Sequence, residues 1–157
     1  HRYFESNDIH DEFAHRGFKF FSNLCTRCET HLRPLQHRSG MVSIPIFLED
    51  GGYLLMDPTL QFEVIRERLE TPGLKLINFH PAHMAFNTPN IAYTREIKDR
   101  HGRDAWNSLS GSQIRRLEHK DDGVRTAIQR IIDHVRGRKY PVLSIHEVYE
   151  QSRREMP

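Results

Sequence analysis

The sequence predicts an α/β fold, and three observations carry that expectation. Short apolar, β-branched or aromatic runs occur at residues 18–21, 41–48 and 74–79. Helix-period stripes lie between and after these runs, and the connecting segments are long enough for parallel crossovers. The chain has 157 residues, 37% of them hydrophobic and 28% charged, which suits one modest domain or part of a larger one and argues against disorder throughout.

Ser6 can cap a first helix of about ten residues whose apolar positions Ile9 and Phe13 lie four apart. Asp8, Asp11 and Glu12 favour its early turns, and Gly17 ends it. Phe18, Phe20 and Phe21 then form a strand that stops at Ser22-Asn23. Met41 to Leu48 is a second strand, ending abruptly at a carboxylate-bearing turn, Glu49-Asp50-Gly51-Gly52. Pro45 cannot donate to a ladder, so this strand is expected at an edge or a bulge.

Leu60, Val64, Ile65 and Leu69 share a helical face over residues 60–69, and Thr71-Pro72-Gly73 stops that helix. Leu74, Leu76, Ile77 and Phe79 follow as a nearly continuous apolar run, the pattern of a strand buried on both faces. A helix is expected over residues 91–101. Residues 107–122 read as a flexible loop rich in serine, glycine and charge. Val124, Ile128, Ile131, Ile132 and Val135 make an amphipathic stripe that Gly137 ends, and Ser144 can cap a last helix carrying Ile145, Val148 and Tyr149.

Lysine and arginine number 23 against 21 aspartates and glutamates, a net charge of +2 with the signs interspersed, which gives no case for a nucleic-acid partner. Apolar stretches fall well short of the roughly 18 residues that a membrane-spanning helix needs, so no span is expected. Two cysteines exclude a disulfide framework, and with no export signal visible the cytoplasm is favoured. The first residue is His1 and the opening lacks a leader's composition, so the chain is expected to begin inside a longer protein. Eleven histidines make metal or proton-transfer chemistry worth pursuing.

Functional groups in parallel α/β folds gather where strands end. Here the proposed strands end in Ser22-Asn23, Glu49-Asp50 and His80. A carboxylate and an imidazole on one rim would suit acid and base work, although strands also end in polar residues simply because loops are wet. Around His80 the segment Asn78-Phe79-His80-Pro81-Ala82-His83, followed by Asn87-Thr88-Pro89-Asn90, resembles the last signature segment of the polysaccharide deacetylases, the NodB-homology carbohydrate esterases. The stretch from His1-Arg2-Tyr3-Phe4 through Gly17-Phe18 to Phe21-Ser22-Asn23-Leu24 is similar to the family's middle segment, and Ile44-Pro45-Ile46-Phe47-Leu48-Glu49-Asp50 to the next. The matches cover roughly residues 1–90 in the family's order.

That resemblance implies a partial, irregular parallel (β/α) barrel, with residues 1–157 forming the C-terminal part of one catalytic domain. It also implies a divalent metal, zinc above all, held by aspartate and histidine ligands upstream of this chain, so that none of its own residues is expected as a metal ligand. His80 would act as the catalytic acid near the scissile group, with Asp50 orienting it. Tyr53, Asn78 and His83 would contact a carbohydrate substrate. This piece alone should not turn over substrate, and its open strand edges should promote self-association.

Two other functions compete. One is a binding module of deacetylase ancestry that holds a sugar without chemistry. The other is a small zinc-binding protein using Cys25, Cys28 and His31, or His80 and His83. Cys25-Thr26-Arg27-Cys28 supplies too few ligands for a closed structural site, and two ordinary loop cysteines are the simpler expectation.

Overall fold

The computed structural model of the chain describes residues 5–57 and 60–155. In chain order its elements are α1 (Asn7–His15), β1 (Phe20–Phe21), β2 (Leu35–Gln36), β3 (Val42–Ser43), β4 (Leu48–Glu49), α2 (Asp50–Met56), α3 (Phe62–Glu70), β5 (Ile77–Asn78), α4 (Pro81–Phe86), α5 (Ile91–Asn107), α6 (Gly111–Arg116), α7 (Val124–Gly137) and α8 (Ile145–Glu155). They form two units. The first comprises His1–Leu48, Arg68–Ile77 and Pro141–Pro157, and the second Glu49–Glu67 and Asn78–Tyr140. Strands and helices mix as predicted, but the described strands make two small sheets.

In the first unit a three-stranded sheet has the order β1-β3-β2. β1 and β3 are parallel, Phe20 opposite Val42, as the long connection between them requires. β2 adds to the other side antiparallel, Leu35 opposite Ser43, a strand that the polar sequence around it hides. The parallel alignment continues past β3, where Ile44 N–H donates to Phe21 O at 2.9 Å and Ile46 N–H to Leu24 O at 2.7 Å. Pro45 between them has no N–H to give, so the expected strand over 41–48 is realised as two short ones, β3 and β4.

Val42 and Ile44 pack on Tyr149 of α8, with Phe20, Leu74, Leu76 and Val148 against them. Both flanking helices carry the caps that the sequence predicts. Ser6 Oγ accepts from Ile9 N–H at 3.2 Å in α1, and Ser144 Oγ accepts from Glu147 N–H at 3.2 Å in α8 while the Glu147 carboxylate accepts from Ser144 N–H at 2.7 Å. The run at 74–79 departs from expectation. Only Ile77–Asn78 is strand, it is half-buried, and Phe79 is exposed; among the described residues β5 pairs with β4 alone in a two-stranded sheet.

The second unit is helical, and three of its helices sit where the sequence suggested turns or loops. α2 begins at the supposed carboxylate turn, where Glu49 Oε2 accepts from Gly52 N–H at 2.6 Å and so caps the helix. α4 starts with Pro81 at its first position and ends at Asn87 in the left-handed region, φ 47°. α6 lies inside the expected loop over 107–122, closed by a capping box between Ser110 and Gln113.

Asn87 ties this unit together. Its Oδ1 accepts from Arg125 N–H at 3.1 Å and Thr126 N–H at 3.3 Å at the start of α7, while its Nδ2 donates to His119 O and Asp121 O at 3.1 and 2.8 Å. Gly123 is required beside it, since a Cβ there would stand 2.0 Å from Asn87 O. The stripe of α7 buries Val124, Ile128 and Ile131 as expected and Ala127 with them, leaving Ile132 at the surface. Among the described residues, no helix is long and apolar enough to cross a membrane.

Candidate functional site

Asp50 opens α2 directly after β4, and His80 precedes α4 directly after β5. Because β4 and β5 pair, the residues that follow them emerge side by side. His83 follows three residues later in α4, on the face below His80, with the two rings 5.5 Å apart.

Asp50 is fully buried and meets His80 twice. Its Oδ2 accepts from His80 N–H at 2.7 Å, and its Oδ1 lies 2.7 Å from His80 Nδ1. His83 Nδ1 stands 3.3 Å from Asp50 Oδ2, at ion-pair distance but outside hydrogen-bond geometry, so this buried nitrogen has no hydrogen-bond partner. Glu49, 8% exposed, adds a second carboxylate, with Oε1 3.2 Å from His80 Nδ1. The sequence showed Glu49 only as a strand ending. Its dual place, capping α2 and facing His80, depends on helix α2, which the glycine pair disguised as a turn.

Burial pushes the Asp50 carboxyl upward, but His83, the His80 ring and the His80 N–H together outweigh it and hold the group below the ordinary carboxylate range. An ionised Asp50 can only accept, so His80 must donate from Nδ1. The ring is thereby fixed with Nε2 free to face outward, on a side chain 55% exposed. One imidazole held by a buried carboxylate, its other nitrogen accessible, is the arrangement of a positioned acid or base.

The other sequence-predicted residues are distributed as follows. Asn78 is half-buried at the end of β5. Tyr53 is buried in α2, its hydroxyl donating to Gln61 O at 2.9 Å. Ser22 and Asn23 belong to the first unit, as do Cys25, Cys28 and His31. Both cysteines are free thiols, and burial pushes the Cys28 thiol up to about 11. Among the described residues, Asp50, His80 and His83 form the one set of three His, Cys, Asp or Glu donors within 4.8 Å of one another, so Cys25, Cys28 and His31 do not assemble as ligands.

Polysaccharide deacetylases generally use a divalent metal. The donor chemistry of Asp50, His80 and His83, two imidazoles and a carboxylate with one buried nitrogen unpartnered, fits such an ion.

A family model described as WbmS-like polysaccharide deacetylase matches residues 1–98. No curated protein matches the chain. Among solved structures, the chain resembles WbmS of Bordetella bronchiseptica, assigned to polysaccharide deacetylation in O-antigen biosynthesis, with a TM-score of 0.70 at 22% identity. The likeness covers 85% of this chain and 53% of that one, so the chain spans about half the length of the WbmS chain. With more than half of its residues matched by the family model, the chain belongs to the WbmS-like polysaccharide deacetylases.

Proposed function

We propose that this chain is the C-terminal part of a deacetylase domain, an irregular (β/α) barrel when complete, that hydrolyses an acetamide or ester on a carbohydrate. The observation that carries this reading is the double engagement of His80 by buried Asp50, through ring and backbone at 2.7 Å each. WbmS, assigned to O-antigen biosynthesis, makes a cell-surface polysaccharide or its precursor the substrate class to test first.

Asp50 acts as a positioning residue. Its ionised carboxylate holds the proton on His80 Nδ1, so Nε2 takes up a second proton from solvent and delivers that one to the departing amine or alkoxide. Developing positive charge on the ring is favoured by two carboxylates, Asp50 and Glu49, at 2.7 and 3.2 Å from Nδ1. A divalent metal bound in the complete domain supplies electrophilic polarisation of the carbonyl and a more acidic water. Asp50, His80 and His83 offer donors to such an ion only where His80 Nδ1 releases Asp50, so while His80 acts as the acid the ligands belong to the preceding part of the domain. Asn78 and His83 flank His80 as substrate contacts, whereas a contact from Tyr53 would require its hydroxyl to leave Gln61.

The test is His80→Ala in the complete protein. Deacetylation should fall by about a hundredfold or more, as loss of an acid catalyst does, while the fold persists by circular dichroism. Unchanged turnover would remove His80 from the mechanism. A sugar that binds without being deacetylated by the unaltered protein would favour the binding-module alternative.

A further inference from the structure

We propose that Cys25 and Cys28 form a redox-active pair, closing to an intrachain disulfide by exchange with a small-molecule disulfide such as oxidised glutathione. Cys25 is the entry thiol and Cys28 the one that resolves the exchange. Both belong to the first unit, and neither takes part in the deacetylase reading.

Three observations support the pair. The first is backbone geometry. Cys25 stands opposite Ile46 in a parallel bridge, Thr26 N–H donates to Ile46 O at 2.9 Å, and Cys28 N–H donates to Phe47 O at 2.7 Å. The chain thus takes three steps between the cysteines while the segment beside it takes one. Three extended steps would span roughly 10 Å, whereas consecutive Cα atoms stand about 3.8 Å apart. Anchoring both cysteines to such neighbours draws them together, as a disulfide with its Cα atoms within about 7 Å requires.

Second, the slack is taken up in a fixed bend. Arg27 and Cys28 have φ of 53° and 65°, two consecutive residues in the left-handed region that residues other than glycine rarely enter. Such a conformation persists only where its surroundings hold it. Here Thr26 Oγ1 donates to Ile46 O at 3.0 Å, and Arg68 Nη1 donates to Cys28 O at 3.2 Å. The bend is ordered before any sulfur bond forms, so closure costs little chain entropy.

Third, the two thiols differ in the way that stepwise exchange needs. Cys25 is half-buried and Cys28 has no exposure, so an external disulfide meets Cys25 first. Burial pushes Cys28 up to about 11 against the pull of the Arg68 guanidinium, and charge on Cys25 adds to the rise, so the two sulfurs lie within electrostatic reach.

The exchange balances. The Cys25 thiolate attacks one sulfur of oxidised glutathione, a Cys25–glutathione bond forms, and one glutathione leaves as its thiolate. Cys28 then gives its proton to solvent, attacks the Cys25 sulfur and expels the second glutathione thiolate. Two protein thiols are oxidised and one small disulfide is reduced. Reversal requires attack at Cys25 with Cys28 departing, and a thiol held at about 11 leaves slowly, so the closed form is long-lived.

Mass spectrometry of the 157-residue chain after incubation in excess oxidised glutathione at about pH 8, where an ordinary thiol is partly ionised, tests this. The expected product has lost two hydrogen atoms and carries no glutathione, and dithiothreitol restores the starting mass. Trypsin, which cuts after Arg27, should release Cys25 and Cys28 on two peptides joined by the disulfide. Cys28→Ser should stop at one glutathione on Cys25, and Cys25→Ser should stay unmodified. The unaltered chain decides the matter alone if the variants do not fold. A chain that stays reduced, one that ends as a glutathione adduct, a disulfide joining two chains, or Cys25→Ser modified as fast as the unaltered chain would each overturn the pair.

Discussion

The two units bury different chemistry. In the first, the interior is mostly hydrocarbon, with Val42, Ile44, Ile46 and Phe47 along the irregular strand and Tyr149 against it, and His10 and Ser152 as its buried polar residues. In the second, the buried set includes Glu49, Asp50, Asp57, Asn87, Thr88 and Thr94. Histidine shows the contrast most directly. His10 in the first unit is buried against the ring of Phe21 with its Nδ1 unpartnered, and His37 meets it edge-on. His80 in the second faces two buried carboxylates. A histidine becomes a candidate for chemistry through the charge that holds it, and abundance of the residue alone says little.

Four substitutions or conditions would break or sharpen that contrast. The largest stability effect should come from hydrocarbon. Ile44→Ala, at a site with no exposure, should cost about 2–5 kcal/mol in a denaturant titration. A loss below about 1 kcal/mol would mean that the first unit does not rest on this core. Asn87→Ala should come next, at about 2–3 kcal/mol, because it removes the cap of α7 and leaves buried carbonyl and amide groups unpaired. An effect within experimental error would show that water replaces the side chain freely.

Acid should act on the second unit through Asp50. Its carboxyl ionises below its ordinary value in the folded chain. It therefore adds stability that is complete above the unfolded value of about 3.9 and is lost as pH falls through the lower, folded one. Asp50→Asn should flatten the acid limb of a stability profile, and an unchanged limb would show that the carboxylate is not held as described. The smallest effect concerns Cys28. With its thiol pushed up to about 11 by burial, it should resist alkylation near neutral pH while half-buried Cys25 reacts. Equal labelling of the two would show that this loop opens readily.

Much of the architecture was legible where local chemistry decides it. Ser6, Ser144, Gly137 and the apolar stripe over Val124 to Ile131 mark helix ends and faces that short-range hydrogen bonds and burial then produce. The pairing of Asp50 with His80 was implied by the family resemblance, since strand ends alone left polar loop residues as the simpler reading. The misses have a common cause in caps that resemble turns. Glu49-Asp50-Gly51-Gly52 reads as a break until the Glu49 carboxylate folds back onto Gly52 N–H. Ser108 to Gln113 reads as a loop until Ser110 and Gln113 close a capping box. Glu49 and the unpartnered nitrogen of His83 depend on side-chain directions that no spacing rule supplies.

The central claim is that buried Asp50 fixes the ring of His80, and nitrogen-detected NMR of the metal-free chain near about pH 8, where ordinary histidines are neutral, tests it most directly. The account predicts a ring proton on His80 Nδ1, shifted downfield by its bond to the carboxylate, and its disappearance in Asp50→Asn. A ring proton on Nε2, with a spectrum indifferent to Asp50→Asn, would contradict it.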